Sequence, residues 1–428
     1  GLVGSEMCIR DSRVLTGASR FKTSRVWRRA LIKTTPGADP AKKRVEMAMR
    51  FKKSLLTQFA VLGVGALSAL GSAAMLTPAH AADRVVNVYN WSDYIDPSIL
   101  EDFTKETGIK VKYDVFDSND LLETKLLAGK TGYDVVVPSA NFLGRQIDAG
   151  VFIKLDKSKL PNLSHAWPEV TKRLAAFDPG NQYAVNYMWG TTGIGYNINK
   201  IKDRMPDAPL DSWRMVFDPD VISKFKDCGV MFLDAPDEVI PAALNYLGKN
   251  PNSRAPEDFA AAEELLKKVR PFVKKFHSSE YINALANGDA CLVIGWSGDI
   301  KQAASRAEEK NKTQKDPKKK VEIGYIIPKE GAGTFYDNLT IPKDAKNIDE
   351  AYAFIDYLLR PEVIAKASNA ISYANGNIDS QAFITKEILE DRSIFPDEAT
   401  MAKLFTVLPL DQKAQRESTR IWRDIKRK

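Results

Sequence analysis

Val85-Val86-Asn87-Val88-Tyr89-Asn90-Trp91-Ser92-Asp93-Tyr94-Ile95-Asp96-Pro97 decides the fold of this 428-residue chain. Val85 to Tyr89 is a short apolar run of β-branched and aromatic residues, which reads as a strand. Asp96-Pro97 then supplies a helix N-cap followed by proline at the first helical position. Ile99, Leu100 and Phe103 give that helix one apolar face, and Gly108 ends it. Ile109, Val111, Tyr113 and Val115 alternate with Lys110, Lys112 and Asp114, the period of a half-buried strand. Leu121, Leu122 and Leu126 mark a second helix, and Tyr133 to Val137 a buried strand. Pro138-Ser139 opens a third helix that ends near Gly150. This β-α-β-α-β order predicts a mostly parallel sheet covered by helices, an α/β fold.

Further along, Tyr183 to Asn197 is extended in character. A second α/β series follows, with strands at Val230 to Leu233 and Leu292 to Trp296 and helices at Val239 to Leu247 and Phe259 to Val269. Lys301 to Lys320 is dense in Lys and Glu and reads as a solvated helix and loop without an apolar face. A strand over Val321 to Ile327, a turn at Gly331-Ala332-Gly333 and an amphipathic helix over Asp349 to Leu359 come next. The tail to Lys428 reads as helical and without chemistry of its own.

The N-terminal third carries an export signal. Arg50, Lys52 and Lys53 precede an apolar stretch from Leu55 to Leu76, which ends in Ala79-His80-Ala81. A positive start, an apolar middle and a small-x-small exit predict a signal peptide over 49–81, cut before Ala82. A membrane anchor is the competing reading, since the stretch is nearly long enough to span. Met49 is the expected start, and residues 1–48 are expected not to belong to the native protein. Removing 1–81 removes 14 of 62 Lys+Arg and 4 of 55 Asp+Glu. The 347 residues that remain carry a net charge of −3. That balance offers nothing to nucleic acid, and the length suits two lobes better than one core. Cys8 falls in the prefix. Cys228 and Cys291 remain, an even pair in an oxidising compartment, which favours a disulfide over two buried thiols.

Enzyme chemistry has few candidates. His165 and His277 are the only histidines of the exported chain, and neither has metal-ligand spacing. There is no G-x-S-x-G elbow and no P-loop. The glycine-rich Gly190-Thr191-Thr192-Gly193-Ile194-Gly195 lacks the dinucleotide spacing. No metal or cofactor is expected. What the sequence offers instead is aromatic-plus-carboxylate clusters. Trp91-Ser92-Asp93-Tyr94 follows one strand, Trp296-Ser297-Gly298-Asp299 another, and Phe335-Tyr336-Asp337 the Gly331 turn. Loops beyond the carboxyl ends of α/β strands form ligand clefts. Ring faces attract cations, and carboxylates take charge-assisted bonds from N⁺–H. The clusters therefore predict an organic ammonium as ligand. The rival in a different class is a periplasmic hydrolase using an acid pair such as Asp93 with Asp299.

Five runs carry a family resemblance: Tyr89 to Ile95, Val135 to Ser139, Met188 to Asn197, Phe232 to Pro236 and Ile294 to Asp299. They resemble the bacterial putrescine/spermidine periplasmic binding proteins, most closely the putrescine-type branch, over essentially all of 84–428. The resemblance implies a type II two-lobe fold with a ligand cleft between lobes and hinge strands, a polyamine as ligand, the membrane permease of an ABC importer as partner, a periplasmic monomer and no catalysis. Spermidine or another cationic amine is the alternative ligand. Lobe 1 is expected over 82–187, lobe 2 over 188–320, the return to lobe 1 over 321–370, and a helical C-terminal segment packing on the lobes over 371–428. The ligand residues it implies are Trp91, Ser92, Asp93, Tyr94, Ser139, Glu238, Trp296, Asp299, Phe335, Asp337 and Tyr373. Asp237 is the lesser candidate beside Glu238. The family shares a cysteine pair at the positions of Cys228 and Cys291. It often has Ser where this chain has Asn141, a departure that implies a different polar lining there. Phe at 335 accompanies putrescine preference. A longer amine is expected to set its central secondary ammonium or its extra arm against apolar wall.

Overall fold

The computed structural model describes residues 84–427. The expected prefix over 1–48 and the signal peptide over 49–81 lie outside them. Helices of eight or more residues are numbered below, and all strands. The first βα series is β1 (Val85–Trp91), α1 (Pro97–Thr107), β2 (Lys110–Phe116), α2 (Asn119–Ala128), β3 (Val135–Val136) and α3 (Ala140–Asp148). The local signals act as chemistry requires. Asp96 accepts the Ser98 N–H at 2.9 Å, Pro97 opens α1, and Gly108 closes it at φ 71°. Strands β1, β2 and β3 are parallel, with Val85 to Trp91 in register with Lys110 to Phe116. Strand β3 is shorter than the sequence suggested. It pairs with β1 only at Val88 and Tyr89, after which the chain turns into α3.

The series continues through β4 (Ala184–Asn197), β5 (Val230–Phe232), α4 (Pro236–Tyr246), α5 (Pro256–Val269), β6 (Lys275–Phe276), α6 (Glu280–Asn287), β7 (Leu292–Trp296), α7 (Ser297–Thr313), β8 (Ile323–Ile326) and β9 (Gly333–Thr340). It ends with α8 (Ile348–Leu358), α9 (Pro361–Ile371), β10 (Ala374–Asn375), β11 (Phe405–Thr406) and α10 (Gln412–Lys426). The strand order is β2-β1-β3-β9-β4-β7-β5-β6. Strand β4 divides it: Ala184 to Thr191 pair with β9, whereas Thr192 to Tyr196 pair with β7 and Ile194 to Asn197 with β8. Two lobes thus share one crossing strand. Its glycines are required by the crowding there, since a Cβ at Gly193 would stand 2.3 Å from the Ile326 carbonyl oxygen.

Each lobe has its own core. Val88, Phe103, Leu143, Tyr187 and Ile355 belong to the first, and Trp213, Phe217, Phe232, Leu292 and Ile294 to the second. Trp296 packs against both. Three expectations are corrected. The chain does not return to the first lobe from 321, because β8 hydrogen-bonds the second-lobe half of β4 and the return comes with β9. Helix α7 does have an inward face, made by Ile300, Ala303 and Ala307. The tail is not helical throughout: β10 adds to β4 and β11 to β9, while Ile421, Trp422 and Ile425 of α10 enter the second core. Cys228 and Cys291 form a disulfide with Cα atoms 5.5 Å apart. It ties the entry of β5 to the entry of β7, neighbours in the sheet.

Candidate functional site

Between the lobes lies a cleft of roughly 580 Å³, mouth included. Ten of the eleven expected ligand residues line it: Trp91, Ser92, Tyr94, Ser139, Glu238, Trp296, Asp299, Phe335, Asp337 and Tyr373. The eleventh does not. Asp93, at φ 55°, turns away from the cleft, and its Oδ1 receives the Arg306 guanidinium of the other lobe at 2.5 Å. Its carbonyl accepts from Gln302 Nε2 at 3.2 Å. Asp93 therefore fastens the lobes together at their rim. Paired with Arg306, it does not face a common substrate with Asp299.

The topology explains why residues so distant in sequence converge. Ser139 bridges to Asp337 where the β3–β9 pairing continues past Val136. Along β9, alternation sends Phe335 and Asp337 into the cleft and Tyr336 to the opposite side, where it stacks near Trp189 at 6.2 Å. Asp299 sits in the first turn of α7 and Glu238 in the first turn of α4. The Trp91 indole N–H donates to the Val137 carbonyl at 2.9 Å, which fixes the ring. Its ring meets Trp296 edge-on at 5.5 Å, and Trp296, Phe335 and Tyr373 continue the aromatic lining at 6.2 and 6.0 Å.

The carboxylates are held rigidly yet lack cations. Asp337 accepts from Tyr94 Oη at 2.7 Å and Ser139 Oγ at 2.5 Å. Burial nevertheless pushes it up to about 6, against the pull of those two donors. Asp299 accepts from the Tyr281 and Tyr373 hydroxyls, both at 2.7 Å. Burial pushes it up to about 7, opposed by the two tyrosines, with Asp93 adding repulsion. Glu238 accepts from the Thr192 hydroxyl. Burial raises it first, and the neighbouring carboxylates of Asp237 and Asp337 raise it further. Asp237 is raised by burial too, although Asn141 Nδ2 donates to it across the cleft at 2.8 Å. Asn141 itself stands just outside the lining, so the departure at this position acts through Asp237.

Sequence reasoning missed Asp117, Ser118, Asn119, Asp120, Asp234 and Ser278, which also line the cleft. Asp117 and Ser118 obey the same rule as the clusters that were found, a loop beyond the carboxyl end of a strand, and Asn119 and Asp120 open the helix that follows it. Phe116 beside Asp117 was the available signal, but it is taken up in strand β2; Ser118 caps the helix that follows, its hydroxyl accepting from Leu121 N–H at 3.2 Å. In all, seven Asp and Glu side chains and no Lys, Arg or His line the cleft. Its outer end is acidic, which corrects the expectation of an apolar wall for the extra arm of a longer amine, while Trp91, Trp296 and Phe335 remain as apolar wall along the middle. Among the described residues no cluster of His, Cys, Asp and Glu has metal-holding geometry.

Two α/β lobes around a buried, acid-lined cleft, joined by the crossing strand β4, are the architecture of a binding protein that closes over a small solute. The model of the bacterial extracellular solute-binding proteins matches residues 98–396, and the chain belongs to that family. It is 52% identical over 381 residues to the putrescine-binding periplasmic protein SpuD of Pseudomonas aeruginosa, covering 89% of this chain and 99% of the relative. It is 51% identical over 348 residues to the putrescine-binding periplasmic protein PotF of Escherichia coli, covering 81% and 92%. Among solved structures, the spermidine/putrescine ABC transporter substrate-binding protein PotD of Streptococcus pneumoniae superposes with a TM-score of 0.65 at 30% identity, covering 80% of this chain and 99% of that one. The periplasmic-binding-protein fold is thereby established.

Proposed function

We propose that this chain is the substrate-binding component of an ABC-type polyamine importer and that it binds putrescine in the cleft. The observation that carries this reading is the lining itself: seven carboxylates of which only Asp234 is ion-paired, an aromatic belt and no cationic side chain in the wall. Buried carboxylates without counterions are costly. A diammonium ligand supplies the missing charges, and its methylenes fit between Trp91, Trp296 and Phe335. Asp337 takes one ammonium and Asp299 the other, about 6 Å apart in an extended four-carbon diamine with staggered bonds. Glu238 assists directly or through water. The names of the relatives support the ligand class and the periplasm as the place of work.

In this reading the protein is exported by cleavage before Ala82, works as a monomer, and hands its ligand to a membrane permease. It performs no catalysis and needs no cofactor. Asp93 and Arg306 hold the closed form, and closure is a hinge motion about the crossing strand β4. Titration calorimetry of the exported chain with putrescine, cadaverine, agmatine and spermidine tests the proposal. Putrescine is expected to bind one to one and at least about tenfold tighter than spermidine, or about 1.4 kcal/mol. Absence of heat with every amine, in protein first unfolded and refolded to remove carried ligand, refutes the ligand class. Equal or tighter spermidine binding refutes the preference alone.

A further inference from the structure

The acidic outer end of the cleft raises a question that the diamine reading leaves open, namely why a triamine would bind less well. Asp299 and Asp337 are the deep acids, only 5% and 4% exposed. Asp117, Ser118, Asp120, Asp234 and Ser278 line both the cleft and a larger cavity outside it. A diamine held at the deep acids leaves one direction for a further aminopropyl arm, outward toward Asp234. The other direction, toward the cavity under Phe142 and Ile240, is crossed by the Asn141–Asp237 bond.

Asp234 is already occupied. Lys426, near the end of α10, places Nζ 2.9 Å from Oδ1 and 2.7 Å from Oδ2 of Asp234. The Trp422 indole N–H donates to Oδ1 at 2.7 Å and fixes the carboxylate's direction. One turn of helix sets this pair of donors, since 422 and 426 share a face. Arg423 and Arg427 line the same outer cavity. A primary ammonium of this chain thus sits where an arm leaving the cleft would bring its own ammonium.

We infer that Lys426 is a specificity-determining residue: its ammonium holds the carboxylate that a third ammonium of a longer polyamine requires, so the cleft accepts diamines and disfavours triamines. The inference rests on the proposed polyamine function and goes beyond it. The cost to a triamine arises twice. Its terminal ammonium meets like charge from Lys426, with Arg423 and Arg427 lining the same cavity, and finds Asp234 already paired, which leaves Asp117 and Asp120 as the other acids along that path. The ion pair is partly exposed, with side chains 40% and 36% accessible, so solvent screens it and the effect is one of several-fold rather than many decades.

The test is calorimetric titration of putrescine and spermidine into the parent chain, Lys426→Met and Lys426→Arg, with thermal melts as a check on folding. Lys426→Met is expected to tighten spermidine at least about fivefold while putrescine moves by less than about twofold; Lys426→Arg keeps the parental ratio. The double variant Lys426→Met, Asp234→Asn is expected to lose the gain, because the freed acid is what the third ammonium uses. An unchanged spermidine-to-putrescine ratio in Lys426→Met overturns the inference, as does a gain that survives Asp234→Asn. If Lys426→Met does not fold, Lys426→Gln replaces it in the same comparison. A parent chain that binds neither amine fails the proposed function instead, and with it this inference.

Discussion

Replacing Asp299 with Asn should separate binding from stability, moving the two in opposite directions. The amide keeps the shape of the carboxylate in its pocket. One oxygen still accepts from Tyr281 or Tyr373, and the amide N–H₂ meets the other hydroxyl oxygen, which can turn to accept. What is lost is the negative charge. A charge-assisted bond to an ammonium is worth about 1.5–3 kcal/mol, which at about 1.4 kcal/mol per decade weakens putrescine by roughly tenfold to 150-fold. In the empty protein the balance reverses. Burial lifts Asp299 from 3.8 to about 7, so the folded state holds a proton that the unfolded state has released. Stability therefore falls as pH rises from about 4 to 7, and above that the ionised side chain costs up to about 4 kcal/mol. Asparagine escapes that cost. At pH 8, Asp299→Asn should thus bind putrescine more weakly by calorimetry yet melt at the same temperature as the empty parent or higher. Binding within twofold of the parent, or a melt several degrees lower, would falsify the assignment of Asp299 as a buried ligand carboxylate.

Putrescine affinity should fall as the medium is acidified, because Asp299 and Asp337 must be ionised to receive ammonium groups and burial has raised them to about 7 and about 6. At pH 5 about one molecule in a hundred has the first ionised and one in ten the second, which sets a loss of up to about a thousandfold relative to pH 8; a flat pH profile counts against this. Calorimetry at pH 6.5 in buffers of different ionisation heat should also show protons released on binding. Gly298→Ala should weaken putrescine by more than about tenfold, since its Cβ would stand 2.3 Å from Tyr373 Cδ2 and drive the ring off Asp299; unchanged affinity would mean that Tyr373 does not position the carboxylate. Thiol counting on the unreduced, denatured chain from Ala82 onward should find none, and replacing both Cys228 and Cys291 with Ala should cost about 4 kcal/mol of stability for a closed loop of 63 residues. A stability unchanged within about 1 kcal/mol would show that the loop is already constrained in the unfolded chain.

The first lobe was largely legible in the sequence because its signals are local. A period-2 run, an Asp-Pro helix start and a left-handed glycine act within one turn or one strand, so β1, α1 and β2 stand where Val85 to Phe116 place them. The aromatic-plus-acid clusters were also legible, since chain order puts loops after strands whatever the packing. The fate of Asp93 was not. Its neighbours Trp91, Ser92 and Tyr94 face the cleft, but the turn at φ 55° and a guanidinium 213 residues away take the carboxylate to the rim. The same holds for the place of β8, which depends on pairing across a sheet between residues about 130 apart, as in Gly195 with Tyr325. Strand periodicity does not encode a partner. Asp120, at the start of α2, and Asp234, just before α4, carry no local sign of a ligand role, and only convergence of segments from both lobes makes them walls of one cleft. What sequence alone determined was which residues carry charge and π surface and which elements present them. Tertiary structure decided which carboxylates remain without a cation. That depends on distance and burial, and those arise only when both lobes and the C-terminal helix close around the same space.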